Sequence, residues 1–183
     1  RQTPAFKRIN PQGKVPALRT DGRDLAELHA ILMHVAVGRD ELIGREGTAM
    51  RDDMNFWLSY LGSAFHVAFY PWFGPQRFVR DESLHPAVKE AAVDRMHDCY
   101  AFVEKALETG PYVLGEQKTV LDPYLYAMAR WGRSIFDVPA QYPRIAAHMA
   151  RMEEEPSVRF ALAIEKGEPA VAPSGAFRGE VAL

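Results

Sequence analysis

The stretch that decides the fold spans residues 9–31 and reads INPQGKVPALRTDGRDLAELHAI. It predicts a loop, a short strand after Pro16, a turn at Asp21-Gly22, a second short strand and the start of a helix. A proline between a loop and a strand can carry a cis peptide bond, which is rare elsewhere and usually functional. Such a bond would leave the backbone N–H and C=O of Val15 open to a peptide that lies alongside like an added strand.

Glu27 falls at the opening of the helix that follows. The first backbone N–H groups of a helix have no helical partner, and they attract an anion. Together with Val15, this position predicts one side of a binding site for a small acidic peptide. The alternative is an ordinary hairpin and helix, in which Pro16 is a strand-entry proline.

The whole run resembles the glutathione-binding half of the thioredoxin-like domain of glutathione S-transferases. The family pattern Asn-Pro-x-Gly-x-Val-Pro-x-Leu stands here as residues 10–18, and an Asp-Gly turn follows at Asp21-Gly22. The continuation Leu-x-Glu-Ser-x-Ala-Ile stands as residues 25–31. The resemblance extends along the chain to Ile164 and is similar to the bacterial beta class. It implies that the glutathione site includes Lys14, Val15, Pro16, Glu27 and Leu28.

The resemblance also assigns roles within that set. Val15 would pair with the cysteinyl backbone of glutathione, and Glu27 would hold the γ-glutamyl amine. The backbone N–H of Leu28 would hold the γ-glutamyl carboxylate. The family usually has serine where this chain has Leu28, so the backbone donor is kept and a hydroxyl is lost. Loss of one charge-assisted hydrogen bond would weaken binding by roughly 1–3 kcal/mol.

Composition narrows the functional class. The chain has 183 residues, 48% of them apolar and 25% charged, with a net charge of −2. Lysine and arginine are scattered, and no apolar run approaches a membrane span, which argues against nucleic-acid and membrane partners. Cys99 is the single cysteine, which suits a reducing compartment. No cysteine-histidine spacing indicates a metal site.

The chain opens at Arg1 without a methionine. If the resemblance holds, the first strand, first helix and second strand of the thioredoxin-like domain would precede it, so we expect this chain to be a truncated part of a longer protein. The residue that activates the thiol in these enzymes, a Cys, Ser or Tyr, would lie in that missing part. The chain could then be inactive by itself.

The fold class predicted is mainly α, α+β overall. Residues 1–38 would form the second half of a thioredoxin-like domain, and residues 39–47 a linker. Residues 48–166 would form an all-helical domain of the glutathione S-transferase type, with a long first helix over 48–69. Residues 167–183, rich in Gly, Pro and Ala, would be an extended or mobile tail in which Phe177 is the one large anchor.

His66 and Ser59 lie on the predicted long helix. From the residues alone, His66 reads as a satisfied interior or surface histidine. The resemblance implies instead that it lines the glutathione site as a supporting catalytic residue, because a histidine can hydrogen-bond a thiol or stabilise its thiolate. Ser59 matches a position that is commonly Asn in the beta class, and it would border the same side of the site.

Aromatic residues are concentrated just after the long helix and on a later helix. Phe69 and Phe73 belong to the run FYPWFG after the long helix, and aromatics there suit either core or the wall of an apolar pocket. Tyr124 and Trp131 are seven apart and share a face of a later helix. The resemblance implies that Phe69, Phe73, Tyr124 and Trp131 line the second-substrate pocket.

Thr119 and Asp122 predict a capping box, a Thr cap with an acidic residue three positions on. The family usually has an apolar residue before the cap, where this chain has Lys118.

The function implied is a cytoplasmic, homodimeric glutathione S-transferase, with glutathione as co-substrate and no metal. The glutathione thiolate would attack a small hydrophobic electrophile or a peroxide. Two alternatives stay open: a non-catalytic ligand-binding or protein-interaction module of the same fold, which Leu28 mildly favours, and a glutathione-dependent isomerase of the zeta type.

Overall fold

The computed structural model describes residues 2–175, which form a small N-terminal hairpin unit followed by a helical body. The N-terminal unit contains helix α1 (Pro4–Ile9), strands β1 (Ala17–Thr20) and β2 (Arg23–Ala26), and helix α2 (Leu28–Val35). The helical body contains α3 (Asp40–Ile43), α4 (Ala49–Tyr60), α5 (His66–Ala68), α6 (Tyr70–Phe73), α7 (His85–Ala106), α8 (Leu121–Ala129), α9 (Val138–Gln141), α10 (Pro143–Glu154) and α11 (Pro156–Glu165). The predicted class, mainly helical with a small β component, is confirmed.

The hairpin forms where the sequence predicts it. β1 and β2 pair antiparallel, with Ala17 opposite Ala26. The turn between them has positive φ at both Asp21 (42°) and Gly22 (76°), the conformation that favours an Asp-Gly pair in a two-residue hairpin turn. An Arg19–Asp24 ion pair at 2.8 Å joins the strands on the exposed face.

The predicted linker is not structureless. Residues 40–43 form α3, whose Ile43 is buried in the core and whose Leu42 carbonyl accepts a hydrogen bond from the Val120 N–H at 3.2 Å. That residues 39–47 link two domains stays a prediction, and the structure adds that part of this segment is helical. Leu42 and Ile43 anchor the connection to the helical body because they bury apolar surface there.

The predicted long helix is present over 49–68 and contains a π turn, Leu61–Phe65, between α4 and α5. The extra residue of such a turn changes which side chains share a face, and π turns are frequent at functional sites. Met54, Leu58 and Phe65 are fully buried on this helix, and Met50 is half-buried.

The core lies between α4, α7, α8 and α10. Cys99 is buried on α7. At the start of α8 the fully buried Asp122 carboxylate accepts hydrogen bonds from the N–H groups of Thr119 (2.7 Å) and Val113 (2.9 Å). His148 Nε2 lies 3.1 Å from the same carboxylate. Only half of the predicted capping box forms. The Asp122 carboxylate accepts from the Thr119 N–H, but the Thr119 hydroxyl accepts from the Leu121 N–H (3.3 Å) and not from the Asp122 N–H.

Of the predicted tail, residues 168–175 contain no helix or strand and are mostly exposed. Residues 176–183, with the expected anchor Phe177, lie outside the described residues. Within residues 2–175, no helix is long and apolar enough to cross a membrane.

Candidate functional site

A cavity of about 380 Å³ separates the N-terminal unit from the helical body. One side, here called the loop wall, consists of Asn10, Gln12, Lys14, Val15, Pro16, Glu27, Leu28 and His29. The opposite side, the helical wall, consists of Leu58, Ser59, Gly62, Ser63, His66, Tyr70 and Tyr124. The seven residues predicted to contact glutathione come from three separate segments, and all of them line this one cavity: Lys14, Val15, Pro16, Glu27, Leu28, Ser59 and His66.

Asn10 holds the loop wall in shape. Its side chain is buried, its Nδ2 donates to the Lys14 carbonyl at 2.7 Å, and its Oδ1 accepts from the Gln12 N–H at 3.1 Å. The Val15–Pro16 peptide bond is cis, as the sequence predicts. Val15 is 56% exposed, lies outside both strands and lines the cavity.

Glu27 has a backbone conformation that non-glycine residues rarely adopt. Its φ is +69° and its ψ is 119°, immediately before α2 begins at Leu28. Strained backbone of this kind costs about 1–3 kcal/mol and clusters at binding sites. The conformation places the exposed carboxylate at the cavity, where Gln12 Nε2 donates to it at 3.3 Å.

The N-terminus of α2 closes the loop wall. Leu28 and His29 are the first two helical residues, and both line the cavity. Their backbone N–H groups are among those that an α-helix leaves without a helical acceptor. This end of the cavity therefore combines one carboxylate with backbone donors, a pairing that suits an amine and a carboxylate on the same ligand.

The helical wall is built around the π turn. Ser59 precedes the turn and His66 follows it, while Gly62 and Ser63 lie within it. The Ser63 hydroxyl donates to the Ser59 carbonyl at 2.8 Å. The turn brings all four residues to the cavity although they span two helical segments.

His66 is half-buried, and its ring lies 5.1 Å from that of Tyr70 and 5.4 Å from that of Trp131. Burial lowers the pKa of His66, and the nearby Lys14 ammonium lowers it further. Since its ordinary pKa is about 6.5, the imidazole is neutral at neutral pH. A neutral imidazole can accept a proton or a hydrogen bond from a thiol.

The four aromatic residues predicted for a second-substrate pocket lie in different surroundings. Tyr124 lines the cavity, whereas Phe69 is 0% exposed. The placement of Phe69 contradicts a pocket role, because its side chain packs in the core beside Tyr100. Trp131 and Phe73 do not line the cavity. The Trp131 ring lies 5.4 Å from that of the lining residue His66, and it meets the rings of Phe69 (5.3 Å) and Phe73 (5.8 Å) edge-on.

Sequence reasoning missed several lining residues. Ser63 lies four positions after Ser59, so helical spacing alone could have indicated it. Gln12 and Tyr70 carried no signal, since a loop glutamine and an aromatic at a helix end usually have structural roles. The full set of missed lining residues is Asn10, Gln12, His29, Leu58, Gly62, Ser63 and Tyr70.

No cysteine lines the cavity in the part of the chain that the structure describes. Cys99 is buried in the core, where burial raises the pKa of its thiol, the opposite of what a nucleophilic thiolate needs. Across residues 2–175, no three His, Cys, Asp or Glu side chains come together as a metal ion would require.

Comparison with known proteins bears on most of the chain. Residues 86–151 match the family model of the glutathione S-transferase C-terminal domain. Glutathione S-transferase GstA of Escherichia coli O157:H7 is 31% identical over 160 residues, which cover 86% of this chain and 76% of that protein.

Two solved structures are similar in sequence and fold. The beta-class glutathione S-transferase of Sphingomonas chungbukensis is 35% identical with a TM-score of 0.75, covering 87% of this chain and 78% of that one. A sphingomonad glutathione S-transferase complexed with glutathione is 34% identical with a TM-score of 0.76, covering 88% and 78%.

Proposed function

Because the chain belongs to the glutathione S-transferase family, we propose that it binds glutathione between the loop wall and the helical wall and directs the thiolate at a small hydrophobic electrophile or a peroxide. One observation carries the proposal. Seven residues from three separate segments line a single cavity of about 380 Å³, and that volume suits a small-molecule ligand.

The loop wall supplies the recognition of glutathione in this proposal. The exposed Val15 backbone pairs with the cysteinyl unit as a strand would. Glu27 holds the γ-glutamyl amine, while the Leu28 N–H holds the γ-glutamyl carboxylate. Lys14 and Pro16 complete that side of the cavity.

The helical wall acts on the sulfur. Thiolate is the reactive form of glutathione, so a group that lowers the thiol pKa accelerates attack. His66 is the supporting residue, since its neutral imidazole can accept the thiol proton. Ser59 offers a hydroxyl to the same side. Tyr124, Trp131 and Phe73 provide apolar surface for the second substrate.

A second copy of the chain is the proposed protein partner, in a cytoplasmic homodimer. The exposed Phe56 and Phe102 and the half-buried Tyr60 form an aromatic patch across α4 and α7, with the rings of Tyr60 and Phe102 only 4.7 Å apart. Contiguous exposed aromatic surface is typical of an interface. Light scattering on the eluting protein should give twice the chain mass of 20.6 kDa, and a monomer that keeps the patch in water would contradict the proposal.

A non-catalytic module is the second candidate, and Leu28 favours it because the serine hydroxyl usual in the family is absent. An isomerase would use the same glutathione site. A measurement of turnover distinguishes the transferase from the other two candidates. Conjugation of an aryl halide or reduction of a peroxide supports the transferase, whereas glutathione binding without either reaction supports the module or the isomerase.

The test is glutathione binding by calorimetry to the protein, to Glu27→Gln and to Glu116→Gln. Glu116 is an exposed glutamate away from the cavity, so it controls for a change of charge alone. We expect a dissociation constant between micromolar and millimolar. Glu27→Gln should raise it about tenfold or more, since a charge-assisted hydrogen bond contributes about 1.5–3 kcal/mol. Absence of binding by the unaltered protein would overturn the proposed function.

A further inference from the structure

We propose that the His29 imidazole donates a hydrogen bond to the γ-glutamyl carboxylate of the ligand, and that it makes this carboxylate a requirement for tight binding. The inference rests on the proposed function and adds to it a specificity-determining residue at the glutathione end of the cavity.

Helix α2 holds His29 at the cavity. His29 is the second residue of this helix, is exposed and lines the loop wall beside Glu27 and Leu28. Met33 lies four residues later and packs against the core of the helical body. Residues four apart share one side of a helix. The His29 side chain therefore points toward the space between the N-terminal unit and the helical body, which is where the ligand would lie.

His29 is the loop-wall donor that is left for a ligand. The loop-wall side chains that carry N–H donors are Asn10, Gln12, Lys14 and His29. Asn10 donates to the Lys14 carbonyl at 2.7 Å, and Gln12 donates to the Glu27 carboxylate at 3.3 Å. The Lys14 ammonium acts on the helical wall, where its charge lowers the pKa of His66. No hydrogen bond, ion pair or ring contact joins the His29 imidazole to another of residues 2–175.

The charges at this end of the cavity explain why a further donor matters. Glu27 places a carboxylate there, and a ligand carboxylate beside it would be repelled as a like charge. The free N–H groups at the start of α2 offset part of that repulsion. The Leu28 side chain adds no donor, because it is apolar and packs against the core.

An imidazole N–H from the next residue supplies the missing donor. The ring carries an N–H in both its neutral and its charged form, so it can donate in either state. Hydrogen bonds to an ionised acceptor are roughly twice as strong as those between neutral groups. The amine and the carboxylate of the γ-glutamyl unit are attached to one carbon, so Glu27 and His29 would each recognise one of two neighbouring groups.

Two ligands that differ only in the carboxylate test the inference. The first is S-hexylglutathione, and the second is the S-hexyl conjugate of 4-aminobutyryl-cysteinylglycine, which keeps the amine and lacks the γ-glutamyl carboxylate. In calorimetry, the unaltered protein should bind the first more tightly. His29→Ala should reduce that preference about tenfold, the lower end of the range for a hydrogen bond to a charged group, and should leave the affinity for the second ligand unchanged.

Two further variants separate the donor from a general change in the helix. His29→Gln keeps a side-chain N–H, so it should retain a preference between those of the unaltered protein and His29→Ala. His34→Ala is the matched control, since it removes a histidine from the same helix that does not line the cavity. It should keep the full preference. His29→Ala should keep the melting temperature, because the ring is exposed and bonds no residue of the described chain.

Three outcomes would overturn the inference: an unchanged preference in His29→Ala, an equal loss of affinity for both ligands in that variant, or a loss in His29→Gln as complete as in His29→Ala. The second would mean that His29 supports the shape of the loop wall, and the third that no hydrogen-bond donor is needed at this position. Failure of the unaltered protein to bind glutathione would instead overturn the proposed function, so the two failures are distinguishable.

Discussion

The two walls of the cavity are held in place by different forces. On the loop wall, polar contacts fix the geometry: Asn10 spans the loop, and neither α1 nor α2 contains a fully buried side chain. On the helical wall, the lining residues project from helices whose other faces are closely packed, with Met54, Leu61 and Phe65 all fully buried. Loss of a single hydrogen bond should therefore change the geometry of the loop wall. The geometry of the helical wall should change only when buried contacts in the core are removed.

The largest effect should come from Asp122→Ala. This change removes the carboxylate that organises the start of α8, and it leaves the buried Thr119 and Val113 N–H groups and His148 without their acceptor. Breaking a buried, hydrogen-bonded group of this kind costs about 3–5 kcal/mol. Urea unfolding followed by circular dichroism measures the loss in free energy of unfolding.

Asp137→Ala is the control for Asp122→Ala. Asp137 is an exposed cap that accepts from the Ala140 N–H at 3.1 Å. Its removal should cost about 1 kcal/mol, the usual value for a helix cap. Equal losses in the two variants would mean that the buried network does not support the helical wall more than a surface cap does.

A smaller effect, confined to the loop wall, should follow Asn10→Ala. The variant loses the hydrogen bonds to the Lys14 carbonyl and the Gln12 N–H, which contribute about 1–2 kcal/mol together. A less ordered loop must be ordered by the ligand, so glutathione affinity should fall about fivefold in calorimetry. Asn55→Ala, on the exposed face of α4, should change neither quantity. Unchanged glutathione affinity in Asn10→Ala would show that the loop holds its shape without this side chain.

The difference between the loop wall and the helical wall also explains which features could be predicted from the sequence. The loop wall is encoded in one short run, residues 9–31, so its hairpin, its cis Val15–Pro16 bond and the position of Glu27 before α2 could all be predicted. The turn needs Asp21-Gly22, whose positive φ values few other pairs adopt. Backbone conformations of this kind require particular residue types, so they can be recognised in the sequence.

The helical wall could be predicted less completely from the sequence, because tertiary packing determines which of its residues reach the cavity. A regular helical period cannot reveal the π turn, which contains the lining residue Gly62. Phe69 and Phe73 belong to one aromatic run, yet Phe69 is in the core and Phe73 is 56% exposed. Likewise, α3 forms because Ile43 reaches the core, although the glycines and charges around it predict a linker. The sequence of a segment does not show which neighbouring element will bury each of its side chains.

The smallest predicted effect lies where the walls meet, at His66 and Lys14. Burial is the larger cause of the lowered His66 pKa and the Lys14 charge the smaller, so Lys14→Gln should move this pKa only part of the way back toward 6.5. The unfolded chain binds the His66 proton more readily than the folded one. Stability from this group is therefore complete above pH 6.5 and falls as the pH drops toward the folded pKa. NMR titration of the imidazole, with His66→Gln to assign its signal, measures the shift. A full return to 6.5 in Lys14→Gln would show that the loop wall, and not burial in the helical wall, sets the charge of the histidine.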